Sequence, residues 1–75
     1  MINKSNLKVI IVSDVNQRDG IGIEIWEKDK LIIEIFRDDS KKSREVTTYK
    51  KDISLDLVEY AIDCFKKEIP NKFLD

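Results

Sequence analysis

The chain predicts an α+β domain: a four-stranded antiparallel meander sheet followed by one C-terminal helix packed on one face, in the order ββββα. Three observations point there. Residues 21 to 37 hold two strand-forming runs around the charged tetrapeptide Glu27-Lys28-Asp29-Lys30, the pattern of a β-hairpin closed by a short polar loop. Two more short runs rich in β-branched residues flank it on either side. After Ser54 the apolar period changes from that of a strand to that of a helix.

Taken in order, Met1–Asn6 is polar and is expected to fray. Leu7–Ser13 reads as the first strand, since its β-branched run is too short for a helix of ordinary length. Asp14–Asp19 is a polar connection, and Asp19-Gly20 supplies a turn. The hairpin strands follow as Ile21–Glu27 and Leu31–Arg37. Asp38–Arg44 is the most polar stretch and is expected to be an exposed loop. Glu45–Lys50 alternates and makes a fourth strand. Ser54 is a good N-cap, and Leu57, Val58, Ala61, Ile62, Phe65 and Ile69 form one apolar stripe over a helix from Leu55 to Ile69. Asp56 and Glu59 near the start, with Lys66 and Lys67 near the end, suit the helix dipole. Pro70 stops the helix, and the tail Asn71–Asp75 is expected to fray unless Phe73 and Leu74 dock.

The hairpin register follows from its side chains. Pairing Glu27 with Leu31 places Ile21, Ile23, Ile25, Leu31, Ile33 and Ile35 on one face, the face the helix should cover. The other face then carries Gly22, Glu24, Trp26, Ile32, Glu34 and Phe36. A slip of one residue would mix the two sets. This register opposes Glu24 to Glu34, which costs up to ~1 kcal/mol. Burying a row of isoleucines, each worth roughly 1.5 to 3 kcal/mol, outweighs that.

Composition bounds the function. One domain fills the 75 residues, with 41% hydrophobic and 39% charged residues. At this size about 60 to 65% of the unfolded surface is buried, and a partner subunit is one common supplement to such a core. The net charge of −1 gives no general attraction to nucleic acid or anionic membranes. Histidine is absent, which removes the commonest general base and metal ligand. A single cysteine, Cys64, rules out an intrachain disulfide and fits a reducing compartment. No apolar run approaches the ~18 residues of a membrane span, and the N-terminus lacks a cleavage pattern, so a cytoplasmic protein is expected.

Few residues suggest chemistry. Glu24 and Glu34 are adjacent carboxylates, but no nucleophile, base or oxyanion donor accompanies them, and solvated glutamates account for them more simply. Asp38-Asp39 after Arg37 lacks the oxygen spacing of a calcium loop. Cys64 sits beside the apolar stripe with no group to activate its thiol, as a structural cysteine does. No catalytic residue, metal site or cofactor is therefore expected. Lys41, Lys42, Arg44, Lys50 and Lys51 cluster around Tyr49, and basic groups beside aromatic platforms are what single-stranded nucleic acid binding needs. A solvated loop and a lysine-protected edge strand explain the same residues. The most physical signal is the second sheet face: one helix covers one face, which leaves Trp26, Ile32 and Phe36, with Tyr49 if its parity matches, as an apolar patch in water. Such patches mark interfaces.

Gly20-Ile-Gly-Ile-Glu-Ile, Glu34-Ile-Phe-Arg-Asp-Asp and Asp52-Ile-Ser-Leu-Asp-Leu-Val-Glu resemble segments of a family of short uncharacterised bacterial proteins, a resemblance that implies no activity. Lys51-Asp52-Ile53-Ser54-Leu55 is similar to the segment that leads into the dimerising C-terminal helix of transcriptional coactivators of the positive cofactor four type, which bind single-stranded DNA. Asp52 stands where that family has glycine, and the strands here are acidic. That resemblance implies a dimer and a strand-binding groove, and assigns no residue. The expected function is a small non-enzymatic interaction domain of regulatory, immunity or inhibitor type. It is expected to form a homodimer or bind a protein partner through the uncovered sheet face or edge. The alternative is single-stranded nucleic acid binding.

Overall fold

A computed structural model of the chain describes residues 4–16 and 18–73. The expected fraying of the two termini falls partly outside this range, as does any docking of Leu74. Lys4–Asn6 form a short 3-10 turn that leads into β1 (Leu7–Asp14). β2 (Gly20–Glu27), β3 (Lys30–Asp38), β4 (Ser43–Thr48) and α1 (Leu55–Glu68) follow. The four strands make one antiparallel sheet in the order β1-β2-β3-β4, so the ββββα meander is the observed fold.

The helix covers the aliphatic face. Ile23, Ile25, Ile33 and Ile35 from the two central strands are buried with Leu57, Ala61, Phe65 and Ile69. Leu7, Val9, Ile21, Ile53, Tyr60 and Cys64 pack around this cluster. The helix begins as the sequence suggests, with the Ser54 hydroxyl accepting from Leu57 N–H at 3.1 Å. Its apolar stripe is narrower than expected, because Ile62 stays 36% exposed.

The hairpin keeps its expected register over most of its length, including Glu24 opposite Glu34 and Ile23 opposite Ile35. Its closed end differs. Glu27 pairs with Lys30 and Trp26 with Leu31, so the loop is the two residues Lys28 and Asp29, and the ladder steps by one residue next to Ile25. Lys28 takes a positive φ of 56° in that loop, as the first position of some tight hairpin turns demands. The step leaves Ile32 without a β2 partner, as in a β-bulge, and Ile32 joins the buried cluster at 3% exposure.

The polar stretch after β3 also departs from expectation. Asp38 and Asp39 are buried, and β4 starts at Ser43 rather than Glu45. Asp38 Oδ1 accepts from Ser40 N–H at 3.1 Å, Ser40 Oγ at 2.8 Å and Lys41 N–H at 3.2 Å, so the carboxylate builds the turn from within. Arg37 forks onto Asp39 and donates to the Pro70 carbonyl at 2.7 Å, which ties the segment after the helix to the end of β3.

Candidate interaction surface

The second sheet face is closed over its centre. Gly22 stands opposite Phe36 on the neighbouring strand, and the Phe36 ring lies across Gly20 and Gly22. A Cβ on Gly22 would come within 2.9 Å of that ring and 2.3 Å of the Ile35 carbonyl oxygen, so the close approach requires glycine. From above, the Arg18 guanidinium lies 3.8 Å from the ring centroid. It also donates to both oxygens of Glu34, at 2.9 and 3.1 Å. Asp14 supports it from the side at 3.5 Å. Hydrogen bonding to Glu34 holds the guanidinium charged even more firmly than usual.

Phe36 is consequently 1% exposed, which corrects the expectation that it lies uncovered. Its cover comes from the β1–β2 connection. Trp26 is half-buried and its indole donates to Glu24 Oε1 at 3.0 Å. Of the four expected patch residues, Ile32 and Phe36 are buried, Trp26 is partly covered, and Tyr49 alone is open at 55% exposure. Both glutamates are engaged by neighbouring side chains.

The basic stretch is dispersed. Arg44 stacks 4.4 Å from the Phe73 ring centroid and donates to the Asn71 carbonyl, and Lys42 lies 6.0 Å from the same ring. Lys41 and Lys51 are exposed. Lys50 lies 3.9 Å from Glu27. It lines a cleft of about 890 Å³ at the hairpin tip together with Tyr49, Lys28, Lys30 and the apolar Leu31 and Ile32. Tyr49 and Lys50 are thus brought together, and away from Lys42 and Arg44.

Cys64 is half-buried against the core. A hydrogen bond with Cys64 and burial push the Tyr60 phenol above its ordinary range. Among the described residues no group of three or more His, Cys, Asp or Glu side chains is placed to hold a metal ion, and no helix is long and apolar enough to cross a membrane.

Among the described residues the edges of the sheet are open, and β1 and β4 each have a strand neighbour on one side only. β4 is six residues long and none of them is buried. β1 is eight residues long and carries Val9-Ile10-Ile11-Val12, with Ile11 53% exposed. Its one basic residue is Lys8; it has no proline and pairs with β2 without a register step. Long, apolar edges of this kind are templates for another strand, and proteins that leave them free usually blunt them with lysine, proline or a bulge. The meander order expected from the sequence already places β1 and β4 at the edges, as observed. Compared with known protein families, curated proteins and solved structures, the chain matches none.

Proposed function

We propose that this chain is a small non-enzymatic interaction module that associates through the open edge of β1, forming a homodimer. One observation carries the reading: an eight-residue edge strand with four consecutive β-branched apolar residues and an exposed Ile11. The edge takes precedence over the face because Arg18 covers Phe36. The engagement of Glu24 by Trp26 and of Glu34 by Arg18 supports a non-enzymatic role. Pairing adds backbone hydrogen bonds and removes Ile11 from water. Sedimentation velocity from one to several hundred micromolar tests this. A dimer that dissociates on dilution is expected, and a monomer throughout the range overturns the reading.

The hairpin-tip cleft supports a second reading. There Tyr49 offers a stacking surface between Lys28, Lys30 and Lys50. Titration of labelled single-stranded DNA at low and moderate salt tests it, and no binding at low salt removes it.

A further inference from the structure

We infer that two copies pair their β1 strands antiparallel about a twofold axis through Ile11, with Lys8 of each copy opposite Asp14 of the other. The inference rests on the homodimer reading above and specifies its geometry. It begins from the backbone. Lys28 N–H donates to the Asn6 carbonyl at 3.2 Å, and this pair continues the β1–β2 register beyond Leu7 opposite Glu27. Hydrogen-bonded and non-hydrogen-bonded pairs alternate along an antiparallel ladder. Lys8, Ile10, Val12 and Asp14 therefore turn their N–H and C=O groups toward β2. Those of Leu7, Val9, Ile11 and Ser13 point outward, and among the described residues no strand pairs with them.

A twofold axis that makes two such strands antiparallel stands perpendicular to the sheet, so opposed residues come from the same face and both helices lie on one side. Only registers centred on a residue satisfy this. Those that keep most of the strand paired are centred on Ile10 or Ile11. Centring on Ile10 sets Lys8 against Val12 and Leu7 against Ser13. Centring on Ile11 gives complementary rows on both faces. On the face away from the helix, Lys8 meets Asp14 and Ile10 meets Val12, each pairing occurring twice. On the helix face, the two Ile11 side chains meet each other and Val9 meets Ser13. Opposite charges directly across a ladder favour pairing, and a lysine held against valine gains nothing comparable. The second copy is the occupant because β1 carries both halves of this charge pattern, reversed along its own length. The product is a continuous eight-stranded sheet with β4 at both ends.

Cysteine cross-linking reads the register. In the Ile11-centred dimer, Ile10 and Val12 form a non-hydrogen-bonded pair, whose Cα atoms lie about 4.5 Å apart, within disulfide reach. With Cys64→Ser as background, Ile10→Cys and Val12→Cys chains are expected to cross-link when mixed and to remain uncross-linked separately. Cross-linking of Ile10→Cys with itself indicates the Ile10-centred register and overturns the inference while leaving the homodimer reading intact. A native chain that sediments as a dimer while neither mixture nor single variant cross-links overturns it equally. A native monomer removes both. Lys8→Asp sets like charges opposite at two places and is expected to weaken dimerisation roughly tenfold. Ile11→Lys is expected to abolish dimerisation while circular dichroism stays native, since Ile11 is half-exposed in the single chain.

Discussion

Arg18 and Glu34 meet as a two-pronged ion pair, Nη1 to Oε1 at 2.9 Å and Nη2 to Oε2 at 3.1 Å. The same guanidinium lies over the Phe36 ring. A single side chain from an irregular connection thus neutralises one glutamate of an opposed pair and covers the Phe36 ring. It also reaches Asp14 at the end of β1, at 3.5 Å. The contact with Phe36 closes the centre of the face over that ring, which is why the association proposed above is assigned to the strand edge.

Arg18→Ala is expected to cost about 2 kcal/mol, the loss of a forked charged hydrogen bond and a cation–π contact on a partly exposed arginine. Urea unfolding followed by Trp26 fluorescence measures it. In a double-mutant cycle, Glu34→Gln should cost markedly less once Arg18 is gone. Strict additivity of the two would show that the pair contributes nothing. Phe36→Ser should likewise lower stability by roughly 3 to 5 kcal/mol, as large-to-small changes in a core do.

The body of the hairpin was legible because alternation over two facing strands permits only one register that keeps the isoleucines together. The helix was legible from its cap, its stripe and Pro70. The cover over Phe36 was not, because Arg18 sits in a segment without periodicity, and only the like-charged Glu24–Glu34 opposition hinted that a cation was needed. Ile32 was misplaced by a single cause. Shortening the loop from the three residues between Glu27 and Leu31 to two shifts the pairing by one residue, and parity beyond the step reverses. Asp38 and Asp39 are buried because Arg37, the turn and the segment after the helix converge on them, and contacts across that distance leave no local pattern.

Asp38 gives a pH prediction. Its carboxyl is held below the usual carboxylate range, first by the Ser40 hydroxyl and then by the Lys41 and Ser40 N–H groups, against the opposing effect of burial. A folded-state value below the unfolded one means stability that is fully present above the unfolded value, near pH 4, and lost as pH falls through the folded value. The stability difference between the native chain and Asp38→Asn should therefore shrink steadily below about pH 4. Urea midpoints from pH 6 to pH 2 read it, and a constant difference across that range would contradict the assignment.

Lys28→Gly is expected to stabilise the protein. Lysine at φ 56° carries a steric penalty of roughly 1 to 2 kcal/mol, part of which glycine returns as extra chain entropy. A net gain of about 0.5 to 1 kcal/mol should raise Tm by several degrees in a domain of this size. An unchanged or lowered Tm would mean that the Lys28 side chain makes a compensating contribution at the hairpin tip.

Gly22→Ala should do the reverse. The added methyl meets the Ile35 carbonyl oxygen at 2.3 Å and the Phe36 Cα at 2.7 Å, both backbone atoms of the paired strand. Strands β2 and β3 must separate locally, at a cost of about 3 kcal/mol, the upper range for overpacking. Because the nearest obstruction is backbone, trimming Phe36 to leucine should not rescue the variant. Thermal unfolding of the single and double variants decides between a backbone clash and a ring clash. Recovery in the double variant would locate the obstruction in the ring.

Arg37 supplies the last expectation. It is 2% exposed, forks onto Asp39 at 2.9 and 3.3 Å, and donates to the Pro70 carbonyl. Truncating one partner of a buried charge pair commonly costs 3 to 5 kcal/mol, so Arg37→Ala should bring a domain this small close to its unfolding limit. Arg37→Lys retains the charge but cannot reach Asp39 with two donors and Pro70 with a third in the same planar geometry. It should lie between the two, and it should loosen the segment after the helix before the sheet. Hydrogen exchange separates these effects. The Ile69 amide, which donates to the Phe65 carbonyl, should lose protection in Arg37→Lys while the β2–β3 amides keep theirs. Equal loss in both places would mean that Arg37 supports the whole fold rather than the docking of its last turn.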